Sequence, residues 1–200
     1  KGEYEVIVVD NASTDRTAET AKRYGAKVVQ EKHKGLTWAR QKGFNASSGE
    51  IIASLDADTA ASPHWLTVID QTFKKNPEVV AATGTTFFYG IKNKQLQTIF
   101  NALALPNLLL NNLFRTLFHK GAMPPTGGNL VIRRSAIQKI GGWNKKIEFW
   151  GEDLDLILRL VKVGRVKYVP NLVVYTSSRR FVKEGFVKTF LTYILQTIWL

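Results

Sequence analysis

Between Glu5 and Lys74 the chain alternates short apolar runs with helix-like segments, and this alternation restricts the fold more than any other feature. Glu5 to Val9 is an apolar run of strand length that ends in Asp10-Asn11-Ala12-Ser13-Thr14-Asp15, and Thr17 to Tyr24 then has helical composition closed by Gly25. Ala26 to Gln30 reads as a strand, Leu36 to Ala46 as a helix and Glu50 to Leu55 as a strand. Pro63 to Lys74 follows as a helix opened by Ser62 and Pro63. Strand-helix alternation of this kind predicts an α/β fold, a mainly parallel sheet flanked by helices. In such sheets ligands bind at the carboxyl ends of the strands, which is where Asp10 and the pair Asp56 and Asp58 fall.

Asp56-Ala57-Asp58 closes the apolar run Ile51-Ile52-Ala53-Ser54-Leu55. Where the chain turns out of a strand, two carboxylates one residue apart can converge on a hard divalent cation that takes phosphate oxygens as further ligands. Taken in isolation, the pair would more often be a loop residue and a helix cap. The chain has no cysteine, so any metal must be held by other donors, with carboxylates the best suited. Its 200 residues with 44% hydrophobic content suffice for a core of their own. The net charge of +12 favours an anionic partner: nucleic acid, an acidic membrane surface or a phosphorylated small molecule.

The second half is less regular. A strand is expected near Val79 to Ala82, then a Leu- and Asn-rich stretch from Leu96 to Phe118, a turn at Pro124-Pro125-Thr126-Gly127-Gly128 and a strand from Asn129 to Ile132. Gly151 to Val163 has the apolar spacing of an amphipathic helix, with Glu152 and Asp153 suited to its first turn and Asp155 placed as an i,i+4 partner for Arg159. Val166 to Val169 and Leu172 to Tyr175 read as two short strands, followed by the basic pair Arg179 and Arg180. Phe186 to Leu200 is apolar and falls short of the roughly 20 residues that span a bilayer.

In this order the segments resemble the inverting glycosyltransferases of family 2, whose nucleotide-binding architecture is termed GT-A. Val8-Val9-Asp10-Asn11-Ala12-Ser13-Thr14-Asp15 is similar to the family's first acidic loop, which implies that Asp10 or Asn11 contacts the base of a sugar nucleotide. Gly35, Ala39-Arg40 and Gly43 are similar to the helix before the metal strand, and the resemblance implies that Arg40 reaches the nucleotide. Asp56-Ala57-Asp58 resembles the Asp-x-Asp motif, with Asp58 a ligand of Mn²⁺ or Mg²⁺ and Asp56 touching the ribose or the metal's shell. Gly127, Gly128 and Asn129 resemble the segment lining the donor and acceptor cleft, to which Glu152 also belongs. Trp150-Gly151-Glu152-Asp153 resembles the Glu-Asp motif, which implies that Asp153 is the general base, and Arg179 and Arg180 fall where relatives place cations near the diphosphate.

The resemblance further implies a nucleoside-diphosphate sugar donor, a glycan or lipid-linked acceptor, and work at the cytoplasmic face of a membrane in cell-surface glycan or glycolipid synthesis. No nucleic-acid motif accompanies the positive charge. Family members carry a strand and loop ahead of the segment that here starts at Tyr4. The expected organisation is therefore an N-terminally truncated GT-A domain over residues 1–180 and a C-terminal amphipathic or membrane-proximal helix over 181–200. Two other readings compete: a haloacid-dehalogenase-type phosphatase with Asp56 as nucleophile, and a non-enzymatic basic membrane-surface module.

Overall fold

The computed structural model describes residues 3–91, 93–104, 128–147, 151–185 and 188. Strand β1 (Ile7–Asp10), helix α1 (Thr17–Arg23), strand β2 (Lys27–Gln30) and helix α2 (Leu36–Ala46) come first. Strands β3 (Ile51–Ser54) and β4 (Thr59–Ala61), helix α3 (Trp65–Lys75), strand β5 (Val79–Tyr89) and helix α4 (Lys94–Ala104) follow. The last part holds β6 (Leu130–Arg133), α5 (Arg134–Lys139), α6 (Glu152–Leu160), β7 (Arg165–Ser177) and α7 (Arg179–Glu184).

The expected α/β fold is present, with a mixed rather than mainly parallel sheet. β1 and β2 form a parallel pair, and the remaining strands form a second sheet in the order β3-β6-β5-β7-β4. In that sheet β6 runs antiparallel to both β3 and β5, β4 runs antiparallel to β7, and the β5–β7 ladder is parallel. The parallel expectation rested on the first half of the chain. The antiparallel pairings join first-half strands to second-half ones, β3 with β6 and β4 with β7, and join β5 to β6, partners that the local pattern of either half does not show.

Two apolar layers cover the larger sheet. On one side Leu130, Ile132 and Ala81 pack with Leu156, Ile157 and Leu160 of α6, with Ile137 of α5 and with Phe44 of α2. On the other, Val131, Val79 and Ala82 pack with Trp65, Ile69 and Phe73 of α3. Leu130, Val131 and Ile132 alternate between the layers as the pleat of a strand requires. Val79 and Ala81 also face opposite layers, because the β5–β7 register shifts between them.

The same mechanism joins the two short strands expected after Gly164 into one. β7 runs through Pro170, and its pairing jumps there, so that Val169 faces Gly84 and Val174 faces Thr86. A proline that would interrupt a regular ladder is thus accommodated at an irregularity. Arg179–Glu184 is one helix, and Phe181 packs edge-on against Phe88 at 5.2 Å. The expected terminal helix lies outside the described residues except at 181–185 and 188. Among the described residues no helix is long and apolar enough to cross a membrane.

Candidate active site

The site is assembled from four segments: the loop after β3, helix α2, the N-terminus of α6, and the junction of β7 with α7. β3 ends at Ser54, and the chain turns so that the Thr59 amide donates to the Asp56 carbonyl at 3.0 Å. The Asp58 carbonyl accepts from the Ser177 amide at 3.1 Å and from the Tyr89 hydroxyl at 3.1 Å. The Thr59 hydroxyl donates to Thr176 at 2.9 Å. The Asp-x-Asp loop is therefore fastened to β7 by its backbone, which leaves both carboxylates to act elsewhere.

Arg40 occupies the centre. Its Nη2 lies 3.4 Å from Asp56 Oδ1, and its Nη1 lies 3.2 Å from Glu152 Oε1 and also bonds Asp153 Oδ1. Only 7% of its side chain is exposed. Arg40 shares a stripe of α2 with Thr37 and Phe44, three residues before it and four after, and both of these are buried. Glu152 sits likewise, on the stripe of α6 that continues through Leu156 and Leu160. Gly151 precedes it with φ 81°, a left-handed turn that a side-chain-bearing residue adopts only under strain.

The electrostatics follow from one guanidinium facing three carboxylates. Burial pushes the Asp153 carboxyl up to about 7, Arg40 pulls it back, and Glu152 and Asp56 add to the rise. Burial disfavours the charge of Arg40, but Asp153, Asp56 and Glu152 outweigh that and hold the guanidinium charged beyond the usual arginine range. Asp153 thus has the makings of a base that titrates near neutrality.

The expected site residues divide into those that meet and those that do not. Asp56, Glu152 and Asp153 meet through Arg40, whose guanidinium faces all three carboxylates. Arg179 reaches the Asp-x-Asp loop, its Nε 3.1 Å from Asp58 Oδ2. Arg180 instead pairs along its own helix with Glu184 at 3.9 Å. Asp10 is buried, and its Oδ1 accepts from the Ser13 amide at 3.1 Å.

Asn11 is held by its neighbouring loops. Its amide nitrogen donates to the carbonyls of Glu31 at 3.1 Å and His33 at 2.6 Å, and its oxygen accepts from the Gly35 amide at 2.9 Å. It therefore clips two loops together. Asn129 is fully buried; it accepts from Trp65 Nε1 at 3.0 Å and donates to the Leu172 carbonyl at 2.8 Å. Gly128 lies against the Asp-x-Asp loop, since a Cβ there would come within 3.0 Å of Asp56 Oδ2 and 2.9 Å of Thr59 Oγ1. Gly127 lies outside the described residues. As expected, Asp155 pairs with Arg159, at 2.6 Å.

The resemblance offers Arg40 a nucleotide contact, and what the sequence does not disclose is its place against carboxylates sixteen and more than a hundred residues away. The signal that could have found it is its position between Thr37 and Phe44, where an apolar face would be expected.

The loop suits a hard divalent cation. Its donors are carboxylate oxygens, and the absent side chain of Gly128 leaves room beside Asp56, while the Arg179 guanidinium paired with Asp58 would have to give way to an ion on that oxygen. Among the described residues no group of three His, Cys, Asp or Glu side chains is placed to hold a metal, so Asp56 and Asp58 would leave coordination positions to ligand oxygens.

A mixed sheet between helical layers, with an acidic loop at the end of a sheet-edge strand and an acidic helix N-terminus facing it, is the GT-A glycosyltransferase fold. Solved structures bear this out. The chain aligns with GalNAc-T7, solved with UDP, GalNAc and Mn²⁺, at a TM-score of 0.63 and 16% identity over 86% of this chain and 37% of that one. It aligns with the mannosyltransferase PcManGT of Pyrobaculum calidifontis, solved with GDP-Man and Mn²⁺, at a TM-score of 0.59 and 21% identity over 86% and 47% of the two chains. The family described as glycosyl transferase family 2 matches residues 1–141, and the chain belongs to that family.

A second family, described as the N-terminal domain of galactosyltransferase, matches residues 118–177. The chain is also 27% identical to the cholesterol galactosyltransferase of Borreliella burgdorferi over 190 residues, 88% of this chain and 52% of that protein. It spans about half the length of the curated relatives it matches. The family assignment displaces the phosphatase reading, whose later metal loop would have to fall where Gly151-Glu152-Asp153 instead opens a helix.

Proposed function

We propose that the chain transfers a sugar from a nucleoside-diphosphate sugar to an acceptor hydroxyl with inversion at the anomeric carbon. The observation that carries this reading is the meeting of the Asp-x-Asp loop with the acidic start of α6, from parts of the chain nearly a hundred residues apart, around one buried arginine. Asp58 and Asp56 would hold Mn²⁺ or Mg²⁺, which when bound neutralises charge on the departing diphosphate. Asp10 is the acceptor offered to the base of the nucleotide, and Arg179 is the cation offered to the diphosphate.

Asp153 acts as the general base. Its carboxylate takes the proton of the acceptor hydroxyl as that oxygen bonds to the anomeric carbon, while the bond to the diphosphate oxygen breaks with its electron pair. A carboxyl held near 7 suits this task, because it is substantially ionised at neutral pH and still basic enough to accept a proton. The donors bound by two relatives in the fold, UDP with GalNAc and GDP-Man, make UDP- and GDP-sugars the first to try.

The acceptor we favour is a glycan or a lipid-linked sugar at the cytoplasmic face of a membrane. The net charge of +12 and the apolar residues after Phe186 support that placement. Liposome flotation with anionic lipid tests it, and a chain that stays wholly in the soluble fraction refutes it.

The test of the transferase itself is calorimetric titration with UDP, GDP and dTDP, with and without Mn²⁺, on the parent chain and on Asp58→Ala and Asp153→Asn. Metal-dependent binding that Asp58→Ala abolishes and Asp153→Asn preserves, with transfer lost in both, is the expected pattern. Transfer at the parental rate by Asp153→Asn would remove the base from its assigned position.

A further inference from the structure

We infer that Arg40 is a positioning residue for the transfer: its guanidinium ties the base carboxylate of Asp153 to the donor-binding loop at Asp56, so that one side chain sets both in register. The inference rests on the roles proposed above for Asp153 and Asp56.

Three features of the geometry carry it. First, the two ends of the guanidinium serve different segments, Nη2 facing Asp56 at 3.4 Å and Nη1 facing the pair Glu152 and Asp153 on α6. A planar guanidinium holds its nitrogens at a fixed spacing, so fixing one carboxylate fixes the direction from which the other is held. Second, the arginine lies below the groups it holds. Asp56 keeps 38% of its side chain exposed and Asp153 keeps 14%, against 7% for Arg40. The carboxylates form the rim, and the cation supports them from the core side.

Third, the support is itself anchored. Arg40 stands between Thr37 and Phe44 on α2, and the Thr37 hydroxyl donates to the Ile147 carbonyl at 3.0 Å while Phe44 packs in the sheet layer with Leu156 and Leu160. The alignment of a base with an attacking oxygen tolerates errors of only about half an ångström, so a carboxylate free to rotate would lose rate without losing donor affinity.

Arg40→Lys and Arg40→Gln test this on the intact chain. Lysine keeps the charge but concentrates its donors on one nitrogen, which lacks the fixed planar spacing that sets the two carboxylates in register, and glutamine keeps hydrogen bonding without charge. The measurements are the dissociation constants of UDP and GDP with Mn²⁺ by calorimetry, turnover of the corresponding nucleotide sugar to water or acceptor, and folding by circular dichroism. Both variants are expected to fold. For Arg40→Lys the nucleotide dissociation constant and the donor KM should stay within about threefold of the parent while kcat falls by about tenfold or more, with a larger kcat loss for Arg40→Gln.

A kcat for Arg40→Lys within about twofold of the parent would overturn the inference. So would proportional losses of affinity and turnover, or loss of the fold in either variant, since Arg40 would then be holding the structure and not the base. A parent chain that neither binds a nucleotide nor turns one over would refute the transferase reading itself, and that result is obtained before any variant is made.

Discussion

Asp153→Asn should change how the stability of the chain depends on pH, in a direction opposite to its effect on catalysis. The carboxyl titrates near 3.8 when unperturbed and is pushed up to about 7 in the folded chain, first by burial, with Arg40 opposing and the neighbouring carboxylates reinforcing. Between these values the folded chain holds a proton that the unfolded chain has released. The native state therefore binds more protons, and stability falls as pH rises through this window. Between about pH 5 and about pH 8 the loss comes to roughly 2 to 3 kcal/mol.

The assay is urea unfolding at several pH values on the parent and on Asp153→Asn, with the difference between the two curves read at each pH. The difference should shift in favour of the asparagine variant by roughly 2 to 3 kcal/mol over the window, while transfer by the parent rises with pH as the base ionises. Parallel curves for the two proteins would refute the reasoning, because the proton would then belong to another member of the cluster or to none.

Three further outcomes are expected. Gly128→Ala places a methyl 3.0 Å from Asp56 Oδ2, which displaces that carboxylate and should weaken Mn²⁺-dependent nucleotide binding by about tenfold with little change in melting temperature, as read by calorimetry and thermal denaturation. Gly84→Ala sets a Cβ 2.0 Å from the Leu172 carbonyl oxygen in the β5–β7 ladder, and should cost about 3 kcal/mol or more in denaturant unfolding because backbone must move to relieve it. Asn11→Asp removes the two N–H donors that serve the carbonyls of Glu31 and His33, and should destabilise the chain by about 1 to 3 kcal/mol. An unchanged unfolding midpoint would refute a stabilising role for the Asn11 hydrogen bonds.

Local patterns carried much of the fold. Helix α2 spans the expected Leu36 to Ala46, and β2, β3 and α6 fall within two or three residues of their expected limits, because apolar periodicity and glycine or proline punctuation act over a few neighbouring residues. β4 went unseen because three residues show no periodicity, and it exists through pairing with β7. Strand direction was misjudged for a related reason. Whether β6 lies parallel or antiparallel to β3 depends on a pairing across more than seventy residues, which neither segment's own composition encodes.

The site divides along the same line. The residue types and order of Asp10, Asp56, Asp58 and Asp153 follow from their positions at strand and helix ends, where a carboxylate is either a cap or a ligand, and the sequence by itself carries that much. The partners are another matter. Asn11 and Asn129 are amides that hydrogen-bond wherever donors and acceptors are brought to them, and here those lie on neighbouring loops and strands. Arg40 meets Asp56 sixteen residues away and Asp153 more than a hundred residues away. Its burial becomes favourable through carboxylates that folding alone gathers around it, so its place at the centre of the site was settled by the packing of α2 against α6 and the β3 loop.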